Sequence, residues 1–335
     1  MLSSFVTNIR MSRNATQSCQ HKRLWYIFFI PVYMSVDTIV QLLHNPKAGT
    51  GKRSKEKLLN ALAAEGWSCT YSSVKEDNWQ VDPEARIIII AGGDGTVRKV
   101  CDKILDQQLK PVLALLPTGT SNNIAESLEV NGKIKSIIKS WQFGEGKTIR
   151  VDSGDLNNAS FKSFFIESAG VGLFPEMVKN IGNKKLKKNR STSEKQEDSL
   201  KALYETSLAY APQYCDLQID GNDYSGYYVL IEFMNISFIG PNILLAPQAS
   251  LNDGLLDVVI GRAEDKEKTI SYLYNKLITG KDECPLQIIR GKHIQMKWSG
   301  ENFHVDDKLV QVNPGSFTEI TSRQNTFTFL HHKHK

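Results

Sequence analysis

The run Arg86-Ile87-Ile88-Ile89-Ile90 leads straight into Ala91-Gly92-Gly93-Asp94-Gly95-Thr96, so an apolar strand delivers a glycine-rich turn with one carboxylate at its centre. Glycines without a Cβ let backbone amides close on an anion, and a nucleotide phosphate suits such a turn. Asp94 would repel that phosphate unless a divalent cation lies between them. A metal-bound nucleoside triphosphate satisfies both requirements.

The same alternation recurs along the first half of the chain. Apolar strands read at 38–43, 68–72, 86–90 and 111–116, and helices at 54–65, 97–105 and 124–128. Strands alternating with helices predict a doubly wound parallel sheet, with ligands in the crevice beyond the carboxyl ends of the strands. Three strand-terminal loops, carrying Asn45, Asp94 and Thr120, therefore meet at one crevice. After residue 150 the texture changes to short strand-like runs at 161–166, 227–233, 256–260, 294–298 and 326–330, and helices become scarce apart from one at 200–210. The expected fold is α/β: an N-terminal doubly wound parallel-sheet nucleotide domain plus a larger β-rich, β-sandwich-like second domain. Its boundaries read as an appendage at 1–36, a nucleotide domain at 37–150, a substrate domain at 151–315, and a C-terminal segment at 316–335 whose strand returns to the first domain.

Composition fits two ordinary cores, with 335 residues, 41% hydrophobic and 23% charged. A net charge of +5 without interleaved aromatic and basic residues does not call for nucleic acid, whereas anionic lipid surfaces fit it. Five scattered cysteines show no zinc spacing and favour a reducing cytoplasm. The apolar run from Leu24 to Met34 is about half the length of a membrane span, and its bland reading is an appendage ahead of the first strand, its sharper one an interfacial anchor. The charged stretch Lys184 to Ser199 reads as a surface loop with a possible lipid contact through its lysines.

The first loop, Asn45-Pro46-Lys47-Ala48-Gly49-Thr50-Gly51-Lys52, fails as a Walker A motif. Its first glycine would fall on Pro46, which has no amide to offer, and its magnesium-binding hydroxyl on Arg53. The third loop, Pro117-Thr118-Gly119-Thr120-Ser121-Asn122-Asn123-Ile124-Ala125, places hydroxyl and amide groups at a helix start.

These three loops, in this order and followed by Leu251-Asn252-Asp253-Gly254-Leu255-Leu256-Asp257, resemble the diacylglycerol kinase catalytic-domain family, which includes the bacterial soluble lipid kinases and the sphingosine and ceramide kinases. The resemblance implies ATP- and magnesium-dependent phosphoryl transfer to a lipid hydroxyl of the diacylglycerol or sphingoid type. It implies a cytoplasmic protein that meets its lipid at a membrane surface, and it admits a homodimer. On matched positions, Asn45, Gly92, Gly93, Asp94, Gly95, Thr96 and Thr120 would hold the nucleotide, with a hydroxyl at Ser72 or Ser73. Magnesium would be bound by Asp253 with main-chain oxygens of Ser250 and Leu255.

The resemblance also implies a carboxylate base in a late segment that commonly reads Asp-Gly-Glu. Here that segment is Asp306-Asp307-Lys308, so the base is Asp307 or Asp306, or is missing. Arg98 and Lys99 likewise stand where many relatives have Asn-Glu. Two rival readings stay open: a kinase of a soluble substrate such as NAD, and a catalytically silent lipid- or nucleotide-binding protein.

Overall fold

The computed structural model describes residues 38–49, 54–141, 148–182 and 191–330. The N-terminal run at 24–34, the last part of the first loop, residues 184–190 of the charged stretch and the histidine-rich tail lie outside the described residues.

The first half builds a parallel sheet from β1 (Val40–His44), β2 (Thr70–Ser73), β3 (Ile87–Gly92) and β4 (Val112–Pro117), in spatial order β2-β1-β3-β4. β1 and β3 are buried along their whole length, as strands of a parallel sheet covered on both faces are, and β3 begins with a run of four isoleucines. Helices α1 (Lys55–Ala63), α2 (Asp94–Asp106), α3 (Asn123–Ser127) and α4 (Ile134–Ser140) flank the sheet. α2 begins at the centre of the glycine turn, with Gly93 as its N-cap and Asp94 in its first turn, where a carboxylate complements the helix dipole.

The second half begins with β5 (Thr148–Asn158), β6 (Phe161–Phe165) and β7 (Ser168–Gly172), then α5 (Leu173–Gly182) and α6 (Thr192–Ala209). Next come β8 (Gln213–Ile219), β9 (Asn222–Asp223), β10 (Gly226–Met234), β11 (Phe238–Ile239), β12 (Ile243–Leu244) and β13 (Leu256–Arg262). α7 (Lys266–Thr279), β14 (Gln287–Gly291), β15 (His293–Trp298), β16 (Asn302–Val305), β17 (Lys308–Gln311) and β18 (Phe317–Leu330) complete the chain. The fold is thus mixed α/β, with a parallel nucleotide-type sheet followed by a larger β-rich part.

Helices are less scarce in this half than the sequence suggests. α5, α6 and α7 contribute 10, 18 and 14 residues and form a layer against the strands. β10 explains why both faces of the second sheet are covered. It sends Tyr228, Ile231 and Phe233 into a core between strands, and Val229, Leu230 and Met234 into a core shared with α5, α6 and α7. The switch of face coincides with a register shift against β13 between Tyr228 and Leu230, because an extra residue inverts the period of two.

β5 and β18 join the two halves. β18 pairs with β15 through residues 317–321, then runs parallel to β4 at Thr328 and Phe329. β5 accompanies it antiparallel from Thr148 to Asn158, with one irregularity between Arg323 and Phe327. The buried Asp152 holds that irregularity, accepting from Asn325 N–H at 2.6 Å and from Gly254 N–H at 2.7 Å.

Candidate functional site

The three loops converge beyond the carboxyl ends of β1, β3 and β4. Gly93 and Gly119 touch backbone to backbone: a Cβ on Gly119 would lie 2.3 Å from Gly93 Cα, so neither position has room for a side chain. Asn45 donates from Nδ2 to Thr96 Oγ1 at 3.0 Å, tying the first loop to the second. Asp94 Oδ1 accepts from Ile124 N–H at 3.0 Å, tying the second to the third. Burial raises the Asp94 carboxyl above the usual range, while the amides at the start of α3 pull it back.

These loops form one end of a cleft of about 580 Å³. Asn45, Gly93, Asp94, Gly95, Thr96, Gly119 and Thr120 line it, and so do Lys75 and Lys99. Ser73 does not: it is buried at the end of β2, its Oγ accepts from Lys75 N–H at 3.3 Å, and Lys75 reaches the cleft instead. Away from the loops the lining is largely apolar, with Phe174, Met177, Val178 and Ile181 from α5 and Ile239 from β11, interrupted by Glu167, Ser199 and His304. Short-range pattern could not reveal this wall, because α5 reaches the loops only through tertiary packing.

The two aspartates of the 306–307 turn have different surroundings. Asp306 sits at φ +51° with its side chain almost fully buried. It pairs with Arg98 Nε at 2.8 Å and accepts from the amides of Ile166 (3.2 Å), Glu167 (2.8 Å) and Ser168 (3.2 Å). Burial still pushes its carboxyl up to about 6, against the pull of the guanidinium and the amides. Asp307 is exposed and packs on the first turn of α2, where a Cβ on Gly95 would meet its carboxylate at 2.4 Å. Lys308 leans away toward Asp102, with Nζ 3.4 Å from Oδ2.

Arg98 fastens this arrangement. Its buried side chain also pairs with Asp102, donates to Phe164 O at 2.8 Å and Ser163 Oγ at 3.1 Å, and lies 3.6 Å above the Phe164 ring. The departure from Asn-Glu at 98–99 therefore puts one cation beneath the turn and a second, Lys99, into the cleft. Behind the turn, His304 pairs through Nε2 with the fully buried Glu232 at 2.7 Å, and its Nδ1 lies 3.1 Å from Asp306 O. Glu232 holds the His304 proton affinity above its ordinary value despite burial.

The turn at 250–255 lies elsewhere and is not part of the cleft. Asp253 spends Oδ1 on Leu255 N–H at 3.0 Å and Oδ2 on the Arg290 guanidinium. Arg290 thus supplies positive charge beside the carboxylate at which the resemblance expects a magnesium ion. Among the described residues no group of three or more His, Cys, Asp or Glu side chains is gathered as a metal cage. At the cleft itself, Asp94 and Asp307 present oxygen donors of the kind a nucleotide-bound magnesium takes. Among the described residues no helix is long and apolar enough to cross a membrane.

Comparison with known proteins agrees with this layout. The diacylglycerol kinase catalytic domain matches residues 40–156, and the YegS C-terminal NAD kinase beta sandwich-like domain matches residues 181–318. The chain is 28% identical over 178 residues to a diacylglycerol kinase of Bacillus subtilis, covering 53% of this chain and 55% of that protein. It is 29% identical over 195 residues to a probable lipid kinase YegS-like protein of Cronobacter sakazakii, covering 55% and 59%. The match therefore spans somewhat over half the length of these curated relatives. A diacylglycerol kinase structure from Bacillus anthracis Sterne superposes with a TM-score of 0.64 at 21% identity, covering 88% of this chain and 96% of that one, which shows the shared fold. With both domains matched in chain order around a cleft built from their loops and helices, this chain carries a diacylglycerol kinase catalytic domain followed by a YegS-type C-terminal beta sandwich-like domain.

Proposed function

We propose that the chain transfers the γ-phosphoryl group of magnesium-bound ATP to the hydroxyl of a lipid of the diacylglycerol or sphingoid type. The observation that carries this reading is the two-ended cleft, in which three loops closed by Gly93 and Gly119 face an apolar wall of Phe174, Met177, Val178 and Ile181. Phosphoryl transfer asks a protein chiefly for positioning and charge compensation. Backbone amides of the loops, with Lys75 and Lys99, compensate the phosphates. When bound, magnesium would offset charge on the phosphates, held near Asp94 and Asp307. The apolar wall seats the acyl or sphingoid chain.

A soluble acceptor such as NAD is favoured only by the likeness of the second domain to the NAD kinase sandwich. An aliphatic wall gives such a polar acceptor little to bind. Contact with a lipid surface is supported by Leu208, Tyr274 and Ile278, which stand 50%, 47% and 62% exposed on α6 and α7. We place the protein in the cytoplasm, at the membrane surface.

The test is incubation with γ-labelled ATP, magnesium and three acceptors: diacylglycerol vesicles, sphingosine vesicles and NAD. Label in a lipid that disappears in Asp94→Ala supports the reading. Labelled NADP, or nucleotide binding without any product, overturns it.

A further inference from the structure

Glu167 lines the cleft and is hydrogen-bonded to Asn123 of the third loop and to Asp306. It lies in the link between β6 and β7, and its backbone is fixed on both sides. Its N–H donates to Asp306 Oδ1 at 2.8 Å, and its carbonyl accepts from Asn235 N–H at 3.0 Å. The side chain accepts from Asn123 Nδ2 at 2.7 Å and from the Gly240 amide. The residue is only 8% exposed, yet it lines the cleft beside Ile239 and Gly240.

Its electrostatic setting differs from that of its neighbours. Asp306 is matched by Arg98 and Glu232 by His304. Burial first, and then the like charges of Asp94 and Asp306, raise the proton affinity of Glu167 well above the usual carboxyl range. A buried carboxyl with donors but no counter-ion is costly to ionise. When such a group faces a cleft between a phosphate-type site and an apolar wall, proton transfer explains why the cost is tolerated.

We propose that Glu167, rather than either aspartate of the 306–307 turn, holds the acceptor hydroxyl and takes its proton during phosphoryl transfer. The proposal rests on the kinase reading above. As the acceptor oxygen forms its bond to the γ-phosphorus, the acceptor O–H breaks and its proton passes to a Glu167 carboxylate oxygen. The bond from the γ-phosphorus to the β,γ-bridging oxygen breaks, its electron pair leaves with the nucleoside diphosphate, and Glu167 later returns the proton to solvent. Asp306 is spent on Arg98 and three amides, and Asp307 sits at the nucleotide end against Gly95. Asn123 fixes the Glu167 carboxyl from the start of α3, so the third loop sets the base as well as the nucleotide pocket.

The experiment uses γ-labelled ATP with dioctanoylglycerol and with sphingosine in detergent micelles, on wild type, Glu167→Gln, Glu167→Asp and Asp307→Asn. Glu167→Gln should lower kcat at least ~100-fold, the range of general-base catalysis, while leaving the KM for ATP unchanged. The acid limb of kcat/KM, which reports loss of the ionised base as pH falls, should vanish with it, and Glu167→Asp should restore part of the rate with a shifted limb. Asp307→Asn should act chiefly on the KM for ATP. A Glu167→Gln enzyme within about threefold of wild-type kcat, far below the general-base effect, with its acid limb in place, overturns the proposal while the kinase reading stands. A wild type that labels neither lipid removes the kinase reading and this proposal with it. If Gln does not support the fold, the Asp variant decides: an acid limb unmoved from wild type overturns the proposal.

Discussion

At the scale of single residues, Arg98 carries the most structure. It links α2 to β6 and pairs with Asp102 and with the buried Asp306, so its removal leaves the Asp306 carboxylate without a cation among the described residues. Arg98→Met should cost about 3–5 kcal/mol in denaturant unfolding, the usual penalty for leaving one half of a buried pair. The double variant Arg98→Met with Asp306→Asn should recover a good part of that loss, and a strictly additive cycle would show that the two groups do not depend on each other. Glu167 should behave in the opposite sense. Its carboxyl has a raised folded-state pKa, so the cost of burying its charge is fully present above that pKa. As pH falls through it the folded protein takes up the proton first and the cost is relieved. Glu167→Gln should therefore melt above wild type at pH 8, with the advantage shrinking as the pH approaches 4. Melting curves that stay parallel across that range would contradict an ionised Glu167.

At the scale of elements, α6 shows how much of a helix was readable. The stretch at 184–199 reads as charged surface, yet α6 already begins at Thr192. Its start carries a legible signal: Ser191 and Glu194 form a reciprocal capping box, with Glu194 Oε2 accepting from Ser191 N–H at 2.7 Å. The helix then reaches across to the nucleotide loops. Lys195 Nζ donates to Gly49 O at 2.9 Å and Gln196 Nε2 to Thr120 O at 3.2 Å. Ser191→Ala should destabilise α6 by about 1 kcal/mol and loosen both loops, read as faster amide exchange near residues 45–49 and 120. Exchange confined to the helix itself would mean that the loops hold their shape unaided. α7 was also marked, by Asp265 at its N-cap and Gly280 at φ +73° at its C-cap, signals that the surrounding run of short strands obscured. The same division holds within the cleft. Its loop residues are legible because each loop is contiguous and bounded by an apolar strand, whereas Lys75, Phe174 and His304 arrive from distant positions and mean nothing until the fold assembles them.

At the scale of the whole molecule, the parallel sheet and the change to a β-rich second half were both legible from strand spacing. What spacing could not show is how firmly the halves are joined. β18 contributes to the pairing of β15 and then to that of β4, and β5 runs beside it throughout. Neither sheet can lose this ribbon without the other losing it too. Calorimetry should accordingly give one unfolding transition whose van't Hoff and calorimetric enthalpies agree. Two resolved transitions would contradict shared strands as the source of cooperativity.

The irregularity between Arg323 and Phe327 then acquires mechanical meaning. Two strands bonded edge to edge make a stiff tape that resists torsion, and a tape bends where its ladder is interrupted. Asp152 braces that interruption from both sides, to Asn325 and to the turn at Gly254. One arm pairs with β4, whose end leads into the third nucleotide loop, and the other pairs with β15. The crease is thus the point at which the ribbon shared by the two halves changes course, and the carboxyl of Asp152 ties it to the turn at Gly254.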